Sequence, residues 1–350
     1  MATEREGAFE DMSLDHVVFH VGDAHQAAAE LVDRYGLAVL DASEDTSARS
    51  VVVGGGGDIS LVFTEAVTED HPAAAYVRAH GDGVADIALG VRDVRAAYDE
   101  AVRRGARPVS APSEDGGRVV ATIMGFGDVT HTFVPRGSAP AAAGGADPAP
   151  AKTGVYALDH FAVCVEPGQL AATVRFYEDV LDFRMTFEEQ IVVGAQSMNS
   201  QVVQSTSNAV TLTIIEPDTS RNPGQIDDFL KRHGGSGVQH IAFVTDHITD
   251  SIRQLRDRGV EFLTTPAAYY EALTDRIALT RYPVAELGEL HILVDEDQGG
   301  KLYQIFTRST HPRGTFFMEV IERAGARTFG SGNIKALYAA VEAELSRQPR

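Results

Sequence analysis

Apolar and polar positions alternate in four short stretches of the chain: LDHVVFHV from Leu14, VADIALGV from Val84, LDHFAVCV from Leu158 and VQHIAFVT from Val238. Alternation of this kind predicts strands buried on one side. After each stretch the pattern lengthens to a helical period, predicting helices over residues 24–35, 94–104, 169–181 and 248–258. Three of these helices run into a glycine, Gly36, Gly105 and Gly259, the residue best suited to a left-handed helix end. Further apolar strands follow, among them ISLVF from Ile59 and VTLTII from Val210.

The four stretches are evenly spaced. Their equivalent positions are His16, Asp86, His160 and His240, which lie 70, 74 and 80 residues apart. RRGARPVSAP from Arg103 also matches DRGVEFLTTP from Asp257. This period is too long for a solenoid repeat. It predicts a β-α-β-β-β module used four times and paired into two domains. Between the pairs, residues 137–153 read GSAPAAAGGADPAPAKT, a segment with no large apolar residue to bury. The expected organisation is an N-terminal domain over 1–136, a linker over 137–153 and a C-terminal domain over 154–350.

Composition narrows the class. With 350 residues, 44% hydrophobic and 23% charged, the chain has material for two cores. Its net charge of −20 argues against nucleic acid as a partner, because phosphate contacts need clustered Lys and Arg. An anionic substrate would have to be drawn in by a local positive field, such as a bound cation. No apolar run approaches the ~18–20 residues that span a bilayer, and MATEREGAFEDMS lacks the basic-then-apolar order of a secretory signal. A cytoplasmic location without membrane contact is therefore expected. Cys164 is the single cysteine, so no internal disulfide and no cysteine-based metal cluster is possible.

His160 and His240 hold the same place in modules three and four, so pairing should bring them together across a shared cavity. A third ligand is expected from a late strand of module four. There Glu319 stands in TFFMEVIER, flanked by Phe316, Phe317, Met318, Val320 and Ile321. A lone strand histidine is more often a core or edge residue than a ligand. A carboxylate among such neighbours, however, needs a cation, since burying it alone costs several kcal/mol. Two imidazoles and one carboxylate on one face of a metal leave about three octahedral positions open, the facial triad of non-haem iron(II) oxygenases. In the first half the equivalents are His16, Asp86 and Thr132, a poorer donor set, so that domain is expected to be structural and metal-free. His71, His80, His233 and His291 stand in polar contexts and are expected at the surface.

LDHFAVCV, GVQHIAF, LYQIFT, FFMEVIER and FGSGNIKAL together resemble the 4-hydroxyphenylpyruvate dioxygenase family, over nearly the whole chain and most strongly over 158–341. The resemblance implies an α+β vicinal-oxygen-chelate (glyoxalase/dioxygenase-like) fold, with four modules paired into two open barrels and a C-terminal lid helix from about Asn333. It implies Fe(II) on His160, His240 and Glu319, with 4-hydroxyphenylpyruvate and O2 as partners; a homodimer is left open. By the same resemblance Ser200, Thr213, Gln225, Gln239 and Gln304 supply polar contacts near the substrate or the iron, and Phe316 and Phe329 contact the substrate ring.

Two outcomes are known in the family: attack on the ring, giving homogentisate, and hydroxylation of the benzylic carbon, giving 4-hydroxymandelate. Ring-attacking members carry Pro-x-Asn-Glu-Pro where this chain has TIIEP from Thr213, and Phe where it has Ile334. Thr213, Ile215 and Ile334 match the benzylic pattern, whereas Gly332 follows the ring-attacking one. The resemblance thus implies 4-hydroxymandelate and a place in antibiotic biosynthesis. Homogentisate is the alternative, and a non-catalytic small-molecule-binding protein of the same fold is the rival from another class.

Overall fold

The structure is a computed structural model that describes residues 7–137, 151–297, 299–330, 332, 333 and 335. Residues 138–150 of the predicted 137–153 linker, Ile334 and the part of the predicted lid helix beyond Lys335 lie outside the described residues.

The first half builds β1 (Ser13–Val21), α1 (Ala24–Tyr35), β2 (Ala38–Glu44), β3 (Ala48–Gly55), β4 (Ile59–Ala66), α2 (Pro72–His80), β5 (Gly83–Val91), α3 (Val94–Arg103), β6 (Pro108–Asp115), β7 (Arg118–Phe126) and β8 (Val129–Pro135). The second builds β9 (Val155–Cys164), α4 (Leu170–Leu181), β10 (Arg184–Val193), β11 (Gln196–Gln204), β12 (Thr211–Pro217), α5 (Gln225–His233), β13 (Gly237–Thr245), α6 (Ile248–Asp257), α7 (Ala267–Glu271), α8 (Leu273–Arg276), α9 (Val284–Leu290), β14 (Leu293–Asp297), β15 (Gly300–Phe306) and β16 (Phe317–Ala324). Each half forms one eight-stranded sheet. The orders, β2-β3-β4-β1-β5-β8-β7-β6 and β10-β11-β12-β9-β13-β16-β15-β14, are the same arrangement twice. Two modules meet where β1 pairs antiparallel with β5, and again where β9 pairs with β13. The expected two-domain vicinal-oxygen-chelate architecture is present.

Alternating residues divide between two faces of each sheet. Phe161, Val163, Leu212, Ile214, Ile241 and Phe243 belong to an apolar core that also takes in α1, α3, α4 and α6 and runs through both halves. Rings join the halves: Tyr35 lies 5.6 Å from Phe243, and Phe19 meets Phe316 edge-on at 5.3 Å. The other face of the second sheet carries the candidate chemistry.

Three helices, α1, α4 and α6, are held to their sheet by a carboxylate at a strand end. Glu65 of β4 accepts from Ala24 N, Glu216 of β12 from Gly168 N and Leu170 N, and Glu322 of β16 from Ile248 N. A negative group at a helix N-terminus satisfies orphan amides and complements the helix dipole. The helix ends fall where the glycines predicted. Gly36 (φ 73°) closes α1, while Asp182 (φ 58°) takes the left-handed turn after α4, where no glycine stands.

Two expectations need correction. Helices α2 and α5 precede β5 and β13, and α7–α9 interrupt module four; the bare β-α-β-β-β scheme omits all five. Helix α2 buries only Ala73, Tyr76 and His80, too few apolar residues for a periodic signal. Nor are His80 and His233 surface groups. Both are buried where α2 meets α5, their rings stacked at 4.5 Å. His80 Nδ1 donates to the His233 carbonyl (2.9 Å), and its Nε2 lies 2.9 Å from Asp128. No helix among the described residues is long and apolar enough to cross a membrane.

Candidate metal centre

Strands β9, β13 and β16 lie side by side in the middle of the second sheet. Their register sets His160, Ala242 and Glu319 in one row, and Ala162, His240 and Phe317 in the next. The two alanines matter. A single methyl group between His160 and Glu319 leaves space into which the larger groups converge, and Ala162 does the same beside His240. His160 Nε2 lies 3.3 Å, and His240 Nε2 3.4 Å, from the same oxygen, Glu319 Oε2. One ligand atom from each residue lies within 4.8 Å of the others.

All three side chains are buried, Glu319 to 1% exposure. Burial alone would raise the Glu319 carboxyl, but the His160 charge and hydrogen bonds from both imidazoles hold it down at about 2. The imidazoles shift in opposite directions. Burial lowers both, yet Glu319 and Asp159 together lift His160 to about 9, whereas His240, without a second carboxylate, stays below its ordinary value. Glu319 therefore stays charged at the point where the three groups meet. His240 Nδ1 is buried and has no hydrogen-bond partner among the described residues. Two imidazole nitrogens and one oxygen of a charged carboxylate, converging in a buried place, fit a divalent cation.

A further layer orients the ligands. His160 Nδ1 donates to Asp159 (2.8 Å), and Asp159 accepts two bonds from Arg323, from Nε (2.7 Å) and Nη2 (2.8 Å). The Arg323 guanidinium also lies 4.9 Å over the Phe329 ring, and Phe329 meets His160 edge-on at 4.9 Å. Phe317 stacks on His240 at 4.9 Å. On the other side Glu319 Oε1 accepts from Gln304 Nε2 at 2.8 Å.

The other predicted residues divide. Ser200 pairs with Ile215, Thr213 with Ala162, and Ile215 with Cys164, so all three share the face of the sheet that carries His160. Their side chains are buried, and Thr213 Oγ1 has no hydrogen-bond partner among the described residues. Gln225 opens α5 and Gln239 adjoins His240; both line a small cavity that Phe317 also borders. Phe316 points elsewhere, into the core between the halves against Phe19 and His311. Phe317, one residue on, takes the place beside His240. Sequence reasoning missed Asp159 and Arg323, although the signal was available: a carboxylate precedes the histidine in both LDH repeats, and Asp15 binds His16 Nδ1 at 2.7 Å.

The first half holds the same places with different groups. Asp86 pairs with Thr130, so Thr132 stands where Glu319 stands in the second half. Asp86 Oδ1 accepts from both threonine hydroxyls, at 2.5 and 2.9 Å. Burial raises its carboxyl to about 6 against those bonds.

Models of the Glyoxalase/Bleomycin resistance protein/Dioxygenase superfamily match residues 15–122 and 157–280, one in each half. The 4-hydroxyphenylpyruvate dioxygenase of Dictyostelium discoideum is 38% identical over 94% of this chain and 96% of its own length. The chain belongs to the 4-hydroxyphenylpyruvate dioxygenase family. The dioxygenase of Yarrowia lipolytica is 33% identical over 95% of this chain and 92% of its own length. Among solved structures, a triple mutant of 4-hydroxymandelate synthase from Streptomyces coelicolor superposes with a TM-score of 0.86. That protein is 43% identical over 96% of this chain and 99% of its own. Dioxygenase chemistry of this family is therefore assigned to the chain, and the buried triad is a site that could hold a metal ion.

Proposed function

We propose that this chain is a 4-hydroxymandelate synthase, which converts 4-hydroxyphenylpyruvate and O2 into 4-hydroxymandelate and CO2 with iron(II) on His160, His240 and Glu319. His160, His240 and Glu319 would hold iron(II), which the 2-oxo acid head of the substrate would chelate and which would supply the redox chemistry that O2 requires. One oxygen atom ends in the product carboxylate and the other in the benzylic hydroxyl. The substrate provides its own two reducing electrons through loss of CO2, so no second oxo acid is needed.

The chain's residues hold and aim. Asp159 keeps the His160 ring turned so that Nε2 faces inward. The Ser200 and Thr213 hydroxyls, with the Gln225 and Gln239 amides, are the polar groups that would position the substrate, while the Gln304 amide is engaged by Glu319 and Asn333. Phe329 would border the ring. The observation that carries the benzylic reading is Ile215. It is buried between Ser200 and Cys164 on the metal's face of the sheet, where ring-attacking relatives carry an asparagine amide. A branched apolar group gives the substrate ring no polar anchor there. A displacement of ~1 Å in the carbon presented for attack is enough to change the outcome. The 43% identity to the solved synthase supports the same reading.

The experiment is to load the purified protein with iron(II) under anaerobic conditions, add 4-hydroxyphenylpyruvate and air, and identify the product by chromatography and mass. Hydroxymandelate is expected. Homogentisate would overturn the benzylic reading and keep fold, metal and substrate. No O2 uptake would restore the non-catalytic binding protein.

A further inference from the structure

A chain of hydrogen bonds runs from a backbone amide to the outer oxygen of Glu319. Val294 N donates to the Tyr269 hydroxyl (2.8 Å), which lies 3.0 Å from Asn333 Oδ1. Asn333 Nδ2 donates to Gln304 Oε1 (2.8 Å), and Gln304 Nε2 donates to Glu319 Oε1 (2.8 Å). Each link dictates the next. A carboxylate only accepts, so Gln304 must present its nitrogen to Glu319 and its oxygen to Asn333. Asn333 must then present its nitrogen to Gln304, and its own oxygen needs a donor, which Tyr269 supplies. The Tyr269 proton is shared with Val294 O, also 2.8 Å away. Gln304 and Asn333 are fully enclosed, where an unmade bond is expensive. Gly330 (φ 68°) turns the chain tightly over this point, since a Cβ there would come within 2.6 Å of Gln304 Oε1.

We infer that Tyr269, Asn333 and Gln304 are positioning residues that keep Glu319 a one-oxygen ligand. Oε1 is engaged by Gln304, which leaves Oε2, the oxygen nearest both imidazoles, to face the ion. The consequence is a count of positions, and it rests on the iron oxygenase reading above. Three protein atoms in an octahedral shell leave about three positions: two for the chelating 2-oxo acid and one for O2. A carboxylate binding through both oxygens would leave only two, both taken by substrate. Hydrogen bonds in a buried, polarised chain strengthen one another, so the distant Tyr269 contributes to the hold on Glu319.

The test compares the wild type with Gln304→Met and Tyr269→Phe, each loaded with iron(II) without oxygen. Iron retention, the charge-transfer absorption that appears when 4-hydroxyphenylpyruvate is added, and binding of nitric oxide as an O2 surrogate (read by electron paramagnetic resonance) are measured. Both variants should retain iron and the charge-transfer band. Gln304→Met should lose most nitric oxide binding once substrate is present and show a severalfold higher KM for O2 with little change in KM for substrate. Tyr269→Phe should move the same way by less, and it decides the matter if Gln304→Met does not fold. Unchanged nitric oxide binding and KM for O2 would overturn the inference, and so would parallel loss of iron, substrate and nitric oxide binding. A wild type that gives neither the band nor the nitric oxide signal would instead sink the iron oxygenase reading.

Discussion

Arg323→Gln is the most informative single change outside the ligands. It removes the guanidinium that holds Asp159 with two charge-assisted bonds, at 2.7 and 2.8 Å. Only 10% of the Asp159 side chain is exposed, and this burial would raise its carboxyl; Arg323 first and then His160 hold it well below the usual carboxylate range. Without Arg323 the carboxylate keeps only His160 as a strong partner. Breaking one side of a buried ion pair costs about 3–5 kcal/mol. Arg323 keeps some solvent contact, with 22% of its side chain exposed, which places the cost near ~3 kcal/mol or below after screening. At about 2–4 °C per kcal/mol for a domain of this size, melting should fall by at most roughly 6–12 °C. The same loss frees the His160 ring to turn, and removing such an outer partner weakens metal binding by about 10–100-fold.

Differential scanning calorimetry of the metal-free protein and competitive metal titration read the two effects separately. Coupling is tested with Asp159→Asn alone and combined with Arg323→Gln. Because the damage in Arg323→Gln is an uncompensated charge, the double variant should be no less stable than Arg323→Gln alone. Strict additivity, or a melting temperature and metal affinity equal to wild type in Arg323→Gln, would refute the reasoning.

Three other outcomes are expected. Ala242→Val should fold, at about 1–3 kcal/mol for overpacking, yet lose metal in a titration, because its methyls enter the gap between His160 and Glu319; retained metal would contradict the row geometry. His131 is buried where β8 meets α4, its Nε2 2.8 Å from the Tyr177 hydroxyl, and burial lowers it from 6.5 to about 4. The unfolded chain therefore takes up this proton before the folded one does, so stability is full above pH ~6.5 and falls as pH drops toward 4, by up to about 3 kcal/mol. Urea midpoints against pH should show this slope, and His131→Phe should flatten it in part, since His20 and His233 are lowered to about 4 as well. Ile215→Asn should shift product from 4-hydroxymandelate toward homogentisate by liquid chromatography, and an unchanged ratio would remove Ile215 as a determinant.

Local pattern and repetition carried much of this protein. The alternation in four stretches, the helices that follow them and three glycine stops are properties of neighbouring residues, and the helix over 24–35 has the predicted ends. Equal spacing of His160 and His240 was enough to pair them, because a repeated module places equivalent residues symmetrically. Glu319 was legible for an energetic reason: a carboxylate among apolar neighbours needs a cation wherever the chain folds.

Only the tertiary structure decided which neighbours from distant elements share a face. Nothing local distinguishes Phe316 from Phe317, yet the register of β16 against β13 turns one into the core between the halves and the other onto His240. His80 and His233 looked polar and exposed until the packing of α2 on α5 buried them against each other. Arg323 reaches Asp159 from 164 residues away, and Tyr269 reaches Asn333 from 64. Such contacts depend on strand order and register, which a one-residue slip would reverse. Composition and periodicity act over a few residues and cannot encode them singly.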